Sequence, residues 1–129
     1  MPINISWKLN VQVASGPAYV VANALQVDAL DRIEVTVPDS VTTTVDVQPG
    51  TAGKIKLLLI RSNKYDDNLK YFVHDNTTPQ RTLNEALFLV ESGGLEFLED
   101  AAAPLDKLVV DNTTGDNVVL EILVGRDAI

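Results

Sequence analysis

From Ile3 to Val13 apolar and polar residues alternate without a break. Ile3, Ile5, Trp7, Leu9, Val11 and Val13 fall on one side, and Asn4, Ser6, Lys8, Asn10 and Gln12 on the other. Successive side chains of a β-strand point to opposite faces, so this segment reads as a strand with one dry face and one wet face. The same alternation returns at Ile33, Val35, Val37 and at Val41, Val45, Val47, with Arg32, Glu34, Thr36, Thr42, Thr44 and Asp46 among the intervening residues. Half-buried strands of this kind build antiparallel sheets, whereas buried parallel strands read as continuous apolar runs. The pattern fixes an architecture and says nothing yet about chemistry.

Turn-forming residues punctuate the chain at short intervals. They occur at Ser15-Gly16-Pro17, Asp28 to Asp31, Pro38-Asp39-Ser40, Gln48-Pro49-Gly50, Ser62 to Asn68, Asp75 to Pro79, Ser92-Gly93-Gly94, Asp100 to Pro104 and Asp111 to Asn117. Between them lie strand-like segments at 3–13, 18–27, 32–37, 41–47, 54–61, 69–74, 86–91, 95–98, 105–110 and 118–124. About ten short strands with turns every 8–12 residues predict an antiparallel β-sandwich, jelly-roll or Ig-like, with little or no helix. No linker, repeat or charge block divides residues 1–129, which read as one domain. The segments 55–60 and 118–124 carry apolar residues on both faces and are expected mid-sheet, with 108–110 as a third. Residues 82–92 are ambiguous. Thr82 and Glu85 have capping-box spacing, but Phe88-Leu89-Val90, Ser92-Gly93-Gly94 and Leu95-Glu96-Phe97 also read as a hairpin, which the sheet context favours.

Composition removes several function classes. The chain has no cysteine, which eliminates disulfides, thiolate metal sites and thiol nucleophiles. Its net charge of −8, from ten basic against eighteen acidic residues, argues against nucleic acid as a partner. Neither a signal peptide nor an apolar run of membrane-spanning length is recognisable, so no membrane contact is expected.

Catalytic machinery is equally hard to assemble. His74 is the lone histidine, and Asp75, its sequence neighbour, points to the opposite face of a strand. No Gly-x-Ser-x-Gly elbow is present, and the carboxylate pairs fall in turns, where Asp and Asn side chains bond the local backbone. Aromatics are too few for a sugar cleft, and Trp7 reads as core. The expectation is a protein that is not an enzyme and needs no cofactor. Calcium is the best metal candidate: Asp111, Asn112 and Asp116 surround a glycine with oxygen donors. Their spacing misses the EF-hand loop, and a hairpin turn explains the same residues. The sequons at Asn4, Asn76 and Asn112 read as chance matches.

What remains is a structural or assembly protein acting through protein–protein contacts. The neutral, amide-rich face of the first strand (Asn4, Ser6, Lys8, Asn10, Gln12) suits contact with another protein, and a solvated face is the plainer account. At the other end, Arg126 and Ile129 follow directly from an apolar strand and are candidates for pairing with a neighbouring subunit. In its amino-terminal alternation and its closing Val118-Val119-Leu120-Glu121-Ile122-Leu123-Val124-Gly125-Arg126-Asp127 the chain resembles the small all-β accessory proteins of phage virions, the head decoration or cement proteins. That resemblance implies a homo-oligomer docked on a capsid or another particle assembled in the cytoplasm. The alternative is a carbohydrate-binding or adhesin-like β-sandwich using Tyr19, Tyr65, Tyr71 and Phe72.

Overall fold

The computed structural model of the chain describes residues 2–47, 54–74, 80–98 and 105–127. The first two strands, β1 (Ile3–Gln12) and β2 (Ala18–Val27), pair only with each other, in a ten-residue antiparallel register from Ile3↔Val27 to Gln12↔Ala18. The expected turn at Ser15-Gly16-Pro17 closes this hairpin. Ser15 takes a left-handed φ of 60°, the Gly16 amide donates to the Val13 carbonyl at 2.9 Å, and the Gln12 side chain donates to the carbonyls of Val13 and Gly16.

The remaining eight strands form two four-stranded sheets. One has the order β3 (Ala29–Val37), β10 (Val118–Arg126), β5 (Ile55–Ser62), β8 (Leu87–Val90). The other runs β4 (Val41–Asp46), β9 (Lys107–Asn112), β6 (Leu69–Val73), β7 (Arg81–Thr82). Every pairing is antiparallel, and the pairs nest: β3 with β10, β4 with β9, β5 with β8, β6 with β7. Folding a long hairpin over on itself in this way produces a jelly roll, which decides between the two sandwich types the sequence allows.

Alternation builds the core. Val118, Leu120, Ile122 and Val124 of β10 point inward together with Leu58 and Ile60 of β5, against Leu69, Tyr71 and Val73 of β6 and Leu108 and Val110 of β9. The segments expected mid-sheet are there: β10 lies between β3 and β5, β5 between β10 and β8, and β9 between β4 and β6. Two expectations fail. Residues 95–98 are not a strand. Glu91 adopts φ 58°, which breaks β8, and a single helical turn, α1 (Glu91–Leu95), drops Leu95 and Leu98 into the core instead. Nor do Asp28 to Asp31 form a turn. The corner is Asp28 alone, its amide donating to the Arg126 carbonyl at 2.9 Å, and Ala29 already belongs to β3.

The hairpin lies across the outer face of the first sheet. Its root residues Ile3, Ile5, Trp7, Leu25 and Val27 pack on Leu57, Phe88, Val90 and Leu123 in a second, smaller apolar cluster. Gly125 makes this approach possible, since a Cβ there would stand 3.1 Å from Val27 Cγ1 and 3.3 Å from Ile5 Cδ1. Ile5 thus sits over β10, while the Trp7 ring meets Phe88 of β8 edge-on, with centroids 5.4 Å apart. Trp7 is therefore half-buried between arm and sandwich and does not belong to the main core. Trp7→Ala should cost about 2 kcal/mol in chemical denaturation, below the ~3–5 kcal/mol of a fully buried aromatic.

Candidate interaction surfaces

Beyond its root the hairpin leaves the body. The path from Ile5 over β10 to Trp7 over β8 carries it toward the β8 edge of the sheet, and every residue from Lys8 to Ala24 is exposed. The apolar face continues unchanged into this free portion. Leu9, Val11 and Val13 of the first strand and its exit, with Tyr19 and Val21 opposite, each leave between 46% and 59% of their surface exposed. Five residues of β1 past Trp7, at ~3.3 Å each, give an arm reaching roughly 17 Å beyond its root. Isolated two-stranded hairpins are marginal in water, and a contiguous exposed apolar stripe is a surface that is often functional. The arm is also the least charged part of the chain: Lys8 is the one charged side chain in residues 2–27, which leaves nine basic and eighteen acidic residues for the rest.

The interface candidates read from the sequence occupy the opposite face of this arm. Asn4, Ser6, Lys8, Asn10 and Gln12 are all exposed there, interleaved with Ala18, Val20, Ala22, Ala24 and Gln26 of β2. Gln12 has a structural role as well, since its amide holds the tip turn. Arg126 is half-buried in β10, its guanidinium on the Asp31 carboxylate at 3.0 Å, so it ties two strands of one chain together. Ile129 lies outside the described residues. The surface that the sequence reading passed over is the distal apolar face. Its alternation looks identical whether the dry side meets the chain's own core or something else.

A second apolar surface lies beside the root. On the outer face of the first sheet, Leu30, Leu59 and Leu123 floor a recess of about 400 Å³, rimmed by Arg32, Arg61 and Glu121. The Glu121 carboxylate bridges both arginines, at 2.9 Å to Arg61 and 3.6 Å to Arg32. The one rim carboxylate is therefore paired, and the rim carries one net positive charge.

On the outside of the other sheet a polar recess of about 570 Å³ is lined by Thr42, Thr44, Phe72, His74, Lys107 and Asp111. His74, immediately after β6 at φ 69°, bonds through Nδ1 to the Asp106 carboxylate at 2.8 Å, so its acidic partner comes from across the sheet; Asp75 is outside the described residues. Of the aromatics considered for sugar binding, Phe72 lines this recess. Tyr71 is buried in the core, and burial pushes its hydroxyl above the ordinary tyrosine range. Tyr65 accepts a hydrogen bond from the Ser62 amide, and Tyr19 stands on the arm.

The oxygen-rich loop at 111–117 is a structural knot. Asn112 is fully buried; its Nδ2 donates to the carbonyls of Val37 at 2.9 Å and Asp116 at 2.8 Å, and its Oδ1 accepts from the Thr114 amide and hydroxyl. All four hydrogen-bonding positions of the amide are filled. The Asp116 carboxylate meets Lys64 Nζ at 2.6 Å, which raises the lysine pKa, while Asp111 accepts from the Thr42 hydroxyl on the sheet's outer face. The structure thus does not gather Asp111, Asn112 and Asp116 into one ligand set, and among the described residues no cluster of three or more His, Asp or Glu side chains forms elsewhere. Full burial also denies Asn112 to a glycan.

These elements define a class: a jelly-roll sandwich carrying a projecting, uncharged β-arm. Among the described residues no helix is long and apolar enough to cross a membrane. No protein-family model, curated protein or solved structure matches this chain.

Proposed function

We propose that this chain is a non-enzymatic assembly subunit, of the virion decoration or cement kind, that stabilises a larger protein shell through protein–protein contacts made by its arm. The exposed apolar face from Leu9 to Val21 carries the reading. An acidic body that is soluble by charge extends one neutral, apolar finger, and such a surface acquires its stability from a partner. The jelly-roll scaffold accords with a shell component by analogy of fold alone, since the same fold also serves lectins and enzymes. The site of action on this reading is the virion, or a particle assembled in the cytoplasm.

The experiment is to excise residues 9–21 and join Lys8 to Ala22, which are paired in the hairpin, through an Asn-Gly turn. The shortened chain should keep the wild-type melting temperature and the Trp7 emission of the intact root. The full chain should sediment in the high-mass particle fraction of the producing cells on a density gradient, and the shortened chain should be missing from it. Equal recovery of both chains in that fraction would sink the proposal.

A carbohydrate-binding role is the second reading, favoured by one observation, the Phe72-lined polar recess. It predicts glycan-array signal from the wild-type chain that Phe72→Ala removes while arm excision leaves it intact.

A further inference from the structure

We infer that the arm of one copy seats in the Leu30–Leu59–Leu123 recess of a second copy, and that the exchange is reciprocal. This deepens the assembly reading above, on which it rests, by naming the surface that receives the arm.

The first argument is chemical match. The arm root already packs on this same sheet face, using the same stripe of the hairpin, against Leu57, Phe88, Val90 and Leu123. The free half of the stripe and the free half of the sheet face are therefore continuations of a contact the chain makes with itself. Each is apolar, and the one carboxylate on the rim of the recess is paired with its arginines. An uncharged arm can cover that floor without burying an unpartnered carboxylate.

The second argument is charge. Like-charged bodies repel, and an assembly of this chain with itself is favoured at surface that is poor in acid or whose acid is already paired. Residues 9–27 contain no Asp, Glu, Lys, Arg or His at all. An arm of roughly 17 Å also spans about two Debye lengths at physiological salt.

The third argument is area. Full burial of a valine or leucine side chain removes on the order of 100 Å² of apolar surface. Five half-exposed side chains then offer roughly 250–300 Å², and two arms meeting face to face about 500–600 Å², half of the ~1,200 Å² at which stable interfaces begin. Reciprocal seating adds the two recess floors to the two arm faces, so it buries more surface than two arms could bury against each other. It also gives a closed two-fold pair in which each copy both donates and accepts.

The absence of native cysteine makes the test clean. V11C on the arm and L59C in the recess are made in separate chains, each checked for wild-type melting, and mixed under mild oxidation. T36C, exposed on the outer face of β3 away from the recess, is the collision control. The expected result is a mixed V11C–L59C disulfide dimer in large excess over V11C–T36C, lost when Leu30→Asp is added to the L59C chain. Sedimentation of the unmodified chain should show a concentration-dependent dimer. A V11C homodimer as abundant as the mixed species would overturn the proposal in favour of arm-on-arm pairing. A chain that stays monomeric at every concentration and yields only collision-level crosslinks would overturn it too. In that case the assembly reading is judged separately, by whether the arm-excised chain leaves the particle fraction.

Discussion

Gly125→Val is expected to prise the arm off the sandwich without unfolding it. The position lies in one of the two inner strands of the first sheet, where the register of β10 against β5 shifts at Gly125/Arg126. Even a single added carbon would stand 3.1 Å from Val27 Cγ1, 3.3 Å from Ile5 Cδ1 and 3.4 Å from Leu57 Cβ. The first two are branch ends on the hairpin and can retreat by a few tenths of an ångström. Gly125→Ala should therefore be mild, under about 1 kcal/mol, since overpacking by one small group is the least costly case. Valine adds two further methyl groups where none fits, and the hairpin must rise. A loss of about 2–3 kcal/mol follows, typical of overpacked sites. Trp7 is the chain's lone tryptophan and touches Phe88, so its emission reports the root directly. A red shift in Gly125→Val, absent in Gly125→Ala, is the expected pattern, accompanied by loss of self-association. An unshifted spectrum in the valine variant would show that the root does not pack where Gly125 lies.

Asn112→Ala is expected to be the most destabilising single truncation of a polar side chain. The amide joins β3, through the Val37 carbonyl, to the 113–117 loop, through the Asp116 carbonyl and the Thr114 amide. The same loop is stitched to the 38–40 turn, where the Ser40 amide donates to the Asn112 carbonyl at 2.8 Å and the Gly115 amide to Asp39 Oδ1 at 2.9 Å. Gly115 holds φ 94°, a conformation that favours glycine, so the loop cannot readily rearrange around a missing partner. Alanine would leave carbonyls and an amide unpaired at a buried site, for a loss of about 2–4 kcal/mol and a fall in melting temperature on the order of 10 °C. Asn112→Asp gives the sign of the effect. A carboxylate there faces the Val37 and Asp116 carbonyls and is desolvated, so its folded pKa rises above the ordinary ~3.9. The variant should thus lie nearest to wild type in acid and fall further behind as pH rises through that raised pKa. A constant gap across pH would refute this account of the site.

Both results turn on features with different visibility in sequence. Alternation at Ile3–Val13, Ile33–Val37 and Val41–Val47 gave the all-β class, because a period of two has one structural meaning. The segments at 55–60 and 118–124 are legible as central strands for a different reason, since apolar residues on both faces need cover on both sides. Strand order was not legible, since β3 pairs with β10 across about ninety positions and no local pattern encodes that. The helical turn at 91–95 was hidden because Ser92, Gly93 and Gly94 suit a hairpin turn equally well; the deciding fact is the left-handed Glu91, which breaks β8. At the candidate site, the polar stripe from Asn4 to Gln12 reads as the wet face of β1 and is exposed, whereas its apolar counterpart reads as one dry face with Trp7 in the core. Only half of it is there. A usable signal was present, namely that residues 9–27 carry no charge in a chain of net −8. Soluble strands usually place charges on the wet side, and their complete absence sets this segment apart from the rest of the chain.

The corner at Asp28 has a mechanical consequence. One residue separates the arm from the sandwich, and its amide is bonded to the Arg126 carbonyl. Tension applied at the arm tip has no slack linker to absorb it and enters β3 at once. All nine residues of β3 are paired with β10, from Ala29↔Arg126 to Val37↔Val118. A pull along the strand must therefore shear that whole ladder together, where a peeling force would open it one pair at a time. A subunit joined to its neighbours by such an arm behaves as a cleat, stiff toward forces that stretch the assembly and yielding only when the arm is lifted sideways from its seat.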